Sequence, residues 1–267
     1  LSFMTANIPQ GMILHPFGGL CNRLSLVMSA RVLSQTVTQP LSVYWCKDSE
    51  VCNAHFLDVF APLKGVHFLN TKPSDDGKLY FHKGCSPDKD FLSKPLESFP
   101  LSPYRPEPMA VRPLARWRDE TDSSYLDLKP KKQIKTIIDS FKNAMGTYIS
   151  IHVRRKDHPE FLKAQGLEKV PYKKFEQFID SHPSNKKIFL ATDDSFTQEY
   201  FKNKYGDRLT FYSPIINSDE LRNTSLHDAV VDLYICSYAR YFMGTERSTF
   251  SYLIKALNKA RNDIAQT

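Results

Sequence analysis

The first 70 residues alternate between short apolar runs and a helical pattern. Apolar runs predict strands at Met12–Pro16, Leu41–Trp45 and Val66–Leu69. Between the first two runs, apolar residues recur three and four positions apart and predict a helix over Leu24–Ser34. Phe56–Phe60 predicts a short helical turn. The start of the chain therefore combines strands and helices in alternation.

The stretch from Asn70 to Pro113 differs from the rest of the chain. It is rich in proline and shows little hydrophobic periodicity. Proline interrupts both helices and sheet ladders, because it lacks a backbone N–H and fixes its own φ angle. We expect long loops here with one helix at most, forming the surface of one lobe or a connection between lobes.

Regular alternation returns after Pro130. Apolar runs predict strands at Tyr148–Val153, Lys187–Ala191, Leu209–Tyr212 and Tyr241–Gly244. Helical spacing predicts helices from Ile134 to Gly146 and at Tyr172–Ile179, Ser195–Tyr205, Leu226–Tyr238 and Thr249–Ala260. Such alternation is typical of a parallel sheet wrapped by helices.

Two such units in tandem predict an α/β fold of two Rossmann-like lobes facing a cleft. We place an N-terminal lobe at residues 1–130, with a loop-rich part at 70–130, and a C-terminal Rossmann-like lobe at 131–267. Ligands of open parallel sheets bind beyond the carboxyl ends of the strands. The residues that directly follow each predicted strand are therefore the first candidates for chemistry.

Composition narrows the class of protein. Hydrophobic residues make up 41% and charged residues 24% of the chain, which excludes global disorder. No apolar run reaches the ~18 residues that a membrane helix needs, so no span is expected within this chain. The chain starts at Leu1 rather than Met, so we expect that an upstream segment has been cut away or replaced, and an anchor or signal could have been lost with it. Its location is open between the cytoplasm and the lumen of the secretory pathway.

The net charge of +7 permits nucleic acid, an anionic membrane or a small phosphorylated ligand as a partner. Nucleic acid is disfavoured, because the basic residues are dispersed and no nucleic-acid-binding motif accompanies them. The five cysteines show no C-x-x-C spacing, which argues against structural zinc or a thioredoxin-like redox motif. Cys46 and Cys52 could pair under oxidising conditions, but free cysteines are the favoured interpretation.

The first strand-end cluster contains Gly18, Gly19, Asn22 and Arg23. Two glycines allow a tight turn into a helix whose first N–H groups could bind an anion or a sugar hydroxyl. The spacing is not G-x-G-x-x-G, so dinucleotide binding gains little support. An ordinary turn is an equally good interpretation.

The second cluster follows the predicted strand Tyr148–Val153. Arg154 and Arg155 present adjacent guanidiniums, which suit a pyrophosphate whose charge grows as it leaves. The alternative is an exposed charged turn. His152 lies inside the strand and is either part of the site or a hydrogen-bonded core residue.

Two weaker clusters follow later strands. Asp193 and Asp194 suit a helix N-cap or recognition of ribose and base, and they lack the further carboxylates of a divalent-metal site. Ser248 and Thr249 stand at a helix start that could cradle phosphate. Asp232 interrupts an apolar helix and needs a partner there, unless it lies at the surface.

These clusters, in this order, resemble the fucosyltransferase-like superfamily of GT-B glycosyltransferases. That superfamily includes the nodulation and core α1,6-fucosyltransferases, the protein O-fucosyltransferases and the α1,2-fucosyltransferases. Residues 152–157 resemble its H-x-R-R-x-D element, and residues 188–194 resemble a strand ending in Thr-Asp-Asp. Residues 18–24 resemble its glycine-rich opening, and 226–251 its closing helix, strand and Ser/Thr-rich turn. The resemblance covers residues 12–60 and 145–257.

The resemblance implies a role for each donor-site residue. Arg155 would contact the β-phosphate of a nucleotide sugar, and Arg154 would hold the nucleotide or the loop. His152 would lie near the ribose-phosphate, and Asp193 or Asp194 would bind base or ribose. The remaining donor-site residues that the resemblance implies are Gly18, Gly19, Asn22 and Arg23 in the opening turn, Asp232 as a support, and Ser248 and Thr249 on phosphate oxygens.

The implied reaction is an inverting, metal-independent transfer, with no cofactor beyond the nucleotide-sugar donor. An acceptor hydroxyl of a glycan or glycoprotein attacks the anomeric carbon while a nearby base takes its proton. Asp157 is the first candidate for that base and Glu160 the second, with His158 as an outside candidate. GDP-fucose is the favoured donor.

Departures from the family pattern keep alternatives open. Lys156 stands where threonine or glycine is usual, and Glu246 and Arg247 replace small or apolar residues. A UDP-sugar donor such as UDP-xylose, a non-catalytic glycan or nucleotide-sugar binder, and a polyanion binder are the three rivals. Acceptor recognition is expected from the N-terminal lobe. Trp117, Tyr104 and Tyr125 there could stack on sugar rings, although packing is the favoured interpretation of each.

Overall fold

The computed structural model describes residues 12–16, 18–36, 38, 40–47, 52–71, 79–82, 123–156, 169–215 and 224–265. Contacts divide the chain into two compact units. The first comprises Leu1–Asp119 with Asp127–Lys129, and the second comprises Glu120–Leu126 with Pro130–Thr267. A 3₁₀ turn at Ser123–Asp127 lies where the chain passes between them. Each unit is described by itself.

The described part of the first unit is a parallel sheet with helices. In chain order its elements are β1 (Met12–Pro16), α1 (Leu20–Thr36), β2 (Leu41–Tyr44), α2 (Phe56–Val59), β3 (Val66–Leu69) and β4 (Leu79–His82). The strand order is β3-β2-β1-β4, and every pairing is parallel. In the centre of the sheet, Leu14 pairs with Val43 on one side and Tyr80 on the other.

Strand β4 was not predicted, since it lies in the stretch interpreted as loops. Its four residues are too few to show a period, and the surrounding prolines dominate the pattern. Helix α1 begins at Leu20, four residues before its predicted start. The backbone N–H of Arg23 already donates to the Gly19 carbonyl at 3.1 Å, so the helix follows directly on the glycine turn.

The core of the first unit lies between α1 and the sheet. Trp45 is fully buried just after β2, and its indole N–H donates to the Ala54 carbonyl at 3.1 Å. The Phe56 ring packs edge-on against Trp45 and stacks on Phe68. Other fully buried residues of this core are Leu24, Val27, Met28, Ala30 and Val43.

The second unit repeats the same architecture. Its elements are α3 (Lys132–Met145), β5 (Tyr148–Val153), α4 (Tyr172–Asp180), β6 (Lys187–Thr192), α5 (Ser195–Tyr205), a 3₁₀ turn (Gly206–Arg208), β7 (Leu209–Thr210), α6 (Leu226–Tyr238), β8 (Tyr241–Gly244) and α7 (Thr249–Ala265). The strand order is β7-β6-β5-β8, again all parallel. The predicted α/β class with two Rossmann-like lobes is confirmed.

Helices and strands of the second unit share one apolar core. All six residues of β5 are buried, because the strand is central and both sheet faces are covered. Helix α4 contributes Phe175 and Ile179, one turn apart, and α5 contributes Phe201. Strand β7 ends at Thr210, two residues before its predicted end. The other members of the core are Ile149, Ile151, Val153, Ile188, Leu190 and Leu209.

Gly244 lets α7 approach β8 closely. A Cβ atom at this position would lie 2.5 Å from the Cβ and Oγ of Ser251, and 2.9 Å from the ring of Phe242. We expect Gly244→Ala to lower the free energy of unfolding by about 1–3 kcal/mol through overpacking. Urea denaturation measures the loss. Ser251→Gly in the same chain should recover part of it, and equal losses with and without Ser251→Gly would contradict the steric cause.

Candidate functional site

The candidate site lies at the carboxyl edge of the second sheet, where β5 and β8 are neighbours. The chain leaves β5 toward β6 on one side and reaches β8 on the other, so this is the topological switch point at which parallel sheets bind ligands. Thr245, directly after β8, joins the two strand ends. Its N–H and its hydroxyl donate to the His152 carbonyl at 3.0 and 2.9 Å, and its Oγ1 accepts from the Arg154 N–H at 2.9 Å.

We call residues 154–156, which follow β5, the arginine loop. Asp193 at the end of β6 holds this loop through its backbone. One carboxylate oxygen accepts from the Arg155 N–H at 2.7 Å, and the other accepts from the Lys156 N–H at 3.2 Å. Burial raises the pKa of Asp193, although these N–H groups and the charge of Arg154 act in the opposite direction. Asp193 therefore fixes the backbone of the loop, although burial disfavours the charged form of its carboxyl group.

Asp194 caps helix α5. Its carboxylate accepts from the Thr197 N–H at 2.8 Å and from the Thr197 hydroxyl at 2.6 Å. This satisfies a backbone donor that the first turn of a helix leaves free. The interpretation of one of the paired aspartates as a helix cap is confirmed, and Asp194 is that residue.

The Arg155 guanidinium is fixed beside the loop. Its Nη1 donates to the Val170 carbonyl at 2.8 Å, and its central carbon lies 4.0 Å from the ring centroid of Tyr172. Its Nε is buried and has no hydrogen-bond partner in the structure. Burial lowers the pKa of His152 and the charge of Arg154 adds to this, while at Asp193 the same charge offsets part of the rise in pKa that burial causes. Both arginine charges are thus concentrated at the end of β5.

His152 is a buried, neutral member of the site. Its Nδ1 hydrogen-bonds to the Ser251 hydroxyl at 2.7 Å, and its ring packs on Phe250 at 4.8 Å. Burial, helped by the charge of Arg154, lowers the pKa of His152 from 6.5 to about 3. At neutral pH the imidazole therefore supplies hydrogen bonds and no charge.

We expect the low pKa of His152 to make stability depend on pH. The unfolded chain takes up a proton below pH 6.5 and the folded protein does not until pH falls to about 3, so this group destabilises the fold as pH falls. Between pH 6.5 and 4.5 the loss is roughly 2–3 kcal/mol. Urea denaturation of the wild type and His152→Gln across this range isolates the effect, because the carboxylates titrate in both. Parallel curves for the two proteins would contradict it.

The turn after β8 leads into helix α7. The Ser248 hydroxyl is buried and accepts from the Ser251 N–H at 3.4 Å, while the Ser248 N–H donates to the Thr245 carbonyl at 3.3 Å. Arg247 has φ at 61°, in the left-handed region, which tightens this turn. Helix α7 starts at Thr249, so its N-terminus, where anions are favoured, lies beside the arginine loop.

Asp232 on helix α6 carries an unsatisfied carboxylate. The residue keeps part of its surface exposed, but Oδ1 is buried and hydrogen-bonds to nothing in the structure. Burial and the neighbouring charge of Asp228 raise the pKa of Asp232 well above its ordinary value. Burial raises the pKa of Tyr212, and the charges of both aspartates add to this. Tyr212 lies just past β7 and therefore at the carboxyl edge of the sheet. An unpaired carboxylate beside a ligand edge is a candidate acceptor for ligand N–H groups.

The glycine turn of the first unit is supported from inside. Gly18 has φ at 87°, in the region that favours glycine. Arg23 is 2% exposed, its Nε donates to the Gly18 carbonyl at 2.7 Å, its Nη1 donates to the Cys46 carbonyl, and its guanidinium lies 5.4 Å from the Trp45 ring centroid. The neighbouring Asn22 has a buried side-chain oxygen without a hydrogen-bond partner in the structure. These contacts place Arg23 as a support of the turn.

Some sequence predictions fall outside the described residues. These are the base candidates Asp157, His158 and Glu160, and the aromatic residues Tyr104 and Trp117.

Other predictions lie within the described residues. Tyr125 is fully buried, which confirms packing for that residue. Cys46 and Cys52 are thiols rather than a disulfide, as favoured from the sequence. In the part of the chain that the structure describes, no helix has the length and hydropathy to cross a membrane.

Three residues that contribute to this site were not predicted from the sequence. Thr245 joins the two strand ends, and Val170 and Tyr172 hold Arg155. Thr245 lies in the Ser/Thr-rich turn, but nothing in the pattern distinguished it from its neighbours. Tyr172 reads as the first residue of an amphipathic helix, so its contact with an arginine 17 positions earlier left no signal.

Residues 116–260 match the family of GDP-fucose protein O-fucosyltransferases. GDP-fucose protein O-fucosyltransferase 2 from Caenorhabditis elegans is 29% identical over 147 residues, which are 51% of this chain and 34% of that protein. The Drosophila melanogaster protein of the same name is 34% identical over 118 residues, covering 41% of this chain and 23% of the relative. The matched segments thus span about a quarter to a third of these relatives.

The fold matches solved fucosyltransferases over nearly the whole chain. The α1,6-fucosyltransferase NodZ soaked with GDP-fucose superposes with a TM-score of 0.57 at 18% identity, covering 93% of this chain and 92% of that one. POFUT1 in complex with GDP-fucose superposes with a TM-score of 0.58 at 15% identity, covering 94% and 95%. At such identities the similarity establishes the GT-B fold.

Proposed function

This chain belongs to the GDP-fucose protein O-fucosyltransferase family, and we propose that it transfers fucose from GDP-fucose to a hydroxyl group of a glycan or glycoprotein. The observation that carries this proposal is the arginine loop at the switch point of the second sheet. Thr245 and Asp193 fix its backbone, and Val170 and Tyr172 fix the Arg155 guanidinium. A cationic group held in place in this way suits a leaving diphosphate.

The arginine loop and helix α7 together offer hydrogen-bond donors to a diphosphate. When the bond between sugar and phosphate breaks, negative charge develops on the departing β-phosphate. Arg154 and Arg155 supply guanidinium donors, and the N-terminus of α7 adds oriented N–H groups at the same edge. Donors that are already in place stabilise this charge without reorganising during the reaction.

Asp232 supports guanine rather than uracil as the base. Guanine presents a ring N–H next to an amino group, and a carboxylate can accept from both. Uracil presents a single N–H between two carbonyl oxygens, which a carboxylate repels. Asp232 is only partly buried and its Oδ1 has no hydrogen-bond partner in the structure, so we propose that it favours GDP over UDP.

The proposed reaction is an inverting substitution at the anomeric carbon. The acceptor oxygen forms a bond to that carbon, the bond to the β-phosphate oxygen breaks, and the acceptor proton passes to a base. Asp157 is the first candidate for the base and Glu160 the second. With two arginines available to neutralise the diphosphate, we propose that transfer needs no divalent metal.

Calorimetric titration with GDP, UDP, GDP-fucose and UDP-xylose tests the donor, with EDTA present throughout. We expect micromolar affinity for GDP and GDP-fucose, at least about tenfold tighter than for the uridine compounds. Release of GDP from GDP-fucose in the presence of glycan and glycoprotein acceptors then tests transfer. Preference for UDP would overturn the donor, binding without GDP release would indicate a non-catalytic binder, and binding of neither would overturn the proposal.

A further inference from the structure

Tyr172 connects the arginine loop to helix α5. The segment that contributes it also contributes Val170, so two nearby residues hold the same side chain. Val170 supplies the carbonyl that accepts from Arg155 Nη1 at 2.8 Å, and Tyr172 supplies the ring that lies 4.0 Å from the guanidinium carbon. The carbonyl fixes one edge of the guanidinium and the ring fixes its plane.

Hydrogen bonds hold Tyr172 itself in place. Its hydroxyl lies 2.7 Å from Oγ1 of Thr197, and that threonine donates its only hydroxyl hydrogen to Asp194 at 2.6 Å. The Tyr172 hydroxyl must therefore be the donor to Thr197, which gives a directed chain from Tyr172 through Thr197 to the Asp194 carboxylate. Thr197 is fully buried, so water does not compete for these bonds.

Aromatic packing holds the ring from its other sides. Tyr200 stacks on it at 4.5 Å and 27°, and Phe201 meets it edge-on at 5.2 Å and 74°. A guanidinium and a stacked ring at these distances need opposite faces of Tyr172. The ring is thus clamped between helix α5 and Arg155.

We propose that Tyr172 is a positioning residue that holds Arg155 in the orientation required for transfer. An arginine side chain has many rotamers, and fixing it before the donor binds removes that entropy loss from the reaction. Stacking occupies only a face of the guanidinium. Because Nε is buried and Nη1 binds Val170, the in-plane N–H groups of Nη2 are the ones left for phosphate oxygens. This role rests on the proposed function, since it presumes that Arg155 contacts a diphosphate.

Two substitutions of Tyr172 separate its ring from its hydroxyl. Tyr172→Leu removes the stacking face, and we expect kcat to fall about 10- to 100-fold while the KM for the donor changes less than about threefold. Tyr172→Phe keeps the face and should stay within about threefold of wild type. Unchanged kcat in a folded Tyr172→Leu protein, or equal losses in the two variants, would overturn the proposal.

Tyr205→Leu is the matched control, because it applies the same substitution at the last residue of α5, the helix against which Tyr172 packs. Tyr205 also lies beside an arginine, with Arg208 at 5.9 Å, but at the amino edge of the sheet. We expect its kcat to stay within about twofold of wild type. A kcat loss equal to that of Tyr172→Leu would show that the loss reports stability, and would overturn the positioning role.

A double-mutant cycle on GDP affinity tests whether Tyr172 acts through Arg155. Free GDP carries on its β-phosphate the charge that GDP-fucose gains only as the sugar leaves, so its Kd reports the contact that the donor KM does not. Tyr172→Leu should therefore raise the Kd for GDP about tenfold in the wild type and less than twofold in Arg155→Ala. Equal effects in both backgrounds would overturn the proposal. Tyr172→Met, which keeps volume without a ring, replaces Tyr172→Leu if the latter does not fold.

Nitrogen-15 NMR of the arginine side chains gives a readout that needs no activity. The Arg155 Nε–H proton should resonate upfield through the ring current of Tyr172, and should lose this shift in Tyr172→Leu but keep it in Tyr172→Phe. Absence of the shift from the wild type would overturn the proposal directly. If the shift is present but the wild type neither binds GDP nor transfers fucose, the proposed function fails and the positioning role fails with it.

Discussion

Replacement of Arg155 by alanine is expected to lower kcat/KM for GDP-fucose by about 10²- to 10³-fold without unfolding the protein. The side chain contributes a fixed positive charge where the leaving diphosphate gains negative charge, and loss of one such preorganised group costs about two to three powers of ten. The loop itself should persist, because Asp193 binds the Arg155 backbone N–H and not its side chain. Steady-state kinetics measure kcat/KM, and the near-UV circular dichroism spectrum shows whether the protein stays folded.

Arg208→Ala provides the matched control. Arg208 also donates to backbone carbonyls, those of Lys186 at 2.7 Å and Pro183 at 3.0 Å, and it lies near a tyrosine ring. It sits at the amino edge of the sheet, away from the proposed diphosphate site, so its loss should affect stability and leave kcat/KM within about threefold. Near-normal turnover in a folded Arg155→Ala protein would remove the phosphate role of Arg155.

Asp232→Leu should stabilise the free protein and weaken its binding of GDP. The native residue buries a carboxylate oxygen without a partner, and a leucine removes that desolvation penalty, about 1–3 kcal/mol in the free energy of unfolding. The same change removes the acceptor for guanine N–H groups, so the Kd for GDP should rise about 30-fold or more. Thermal unfolding and calorimetry measure both effects. Lower stability with unchanged GDP affinity would show that Asp232 has a structural role only.

Because the pKa of Asp232 is raised, we expect the affinity for GDP to depend on pH. The folded free protein holds a proton on Asp232 above the pH at which an ordinary carboxyl group loses it, and binding of guanine N–H groups favours the charged form. GDP binding should therefore release a proton and tighten as pH rises through that pKa. Titrations in buffers of different ionisation enthalpy detect the release, and Asp207→Leu, at an exposed carboxylate, should retain it.

Most of the second unit was predictable, because its elements have clear periods. Phe175 and Ile179 fall on one helix face, and β5 is a continuous apolar run, so local pattern and tertiary burial agree. Strand β4 was not predictable, because it is four residues long and belongs to the sheet only through pairing with β1. Helix α1 starts earlier than predicted because it follows directly on the glycine turn, and hydrophobic periodicity does not detect such a turn.

The location of the candidate site was predictable from the sequence, but the role of each residue in it was not. Strand-end position and residue type indicated Arg155, Asp193 and Asp194. The sequence left open which of the two aspartates caps helix α5. It did not show that Tyr172 contacts Arg155, because that contact joins residues 17 positions apart along the chain. Hydrogen-bond partners and stacking faces follow from the fold, and a single sequence carries little information about them.

Because Asp193 binds the backbone of the arginine loop, the path of the loop does not depend on which side chains the loop carries. The carboxylate binds backbone N–H groups, which every residue except proline provides. Position 156 can therefore exchange one side chain for another while the loop keeps its course, and the path of the loop does not require the lysine that stands there. Variation at this position is a route by which evolution, or a protein engineer, can retune the pocket without rebuilding the loop.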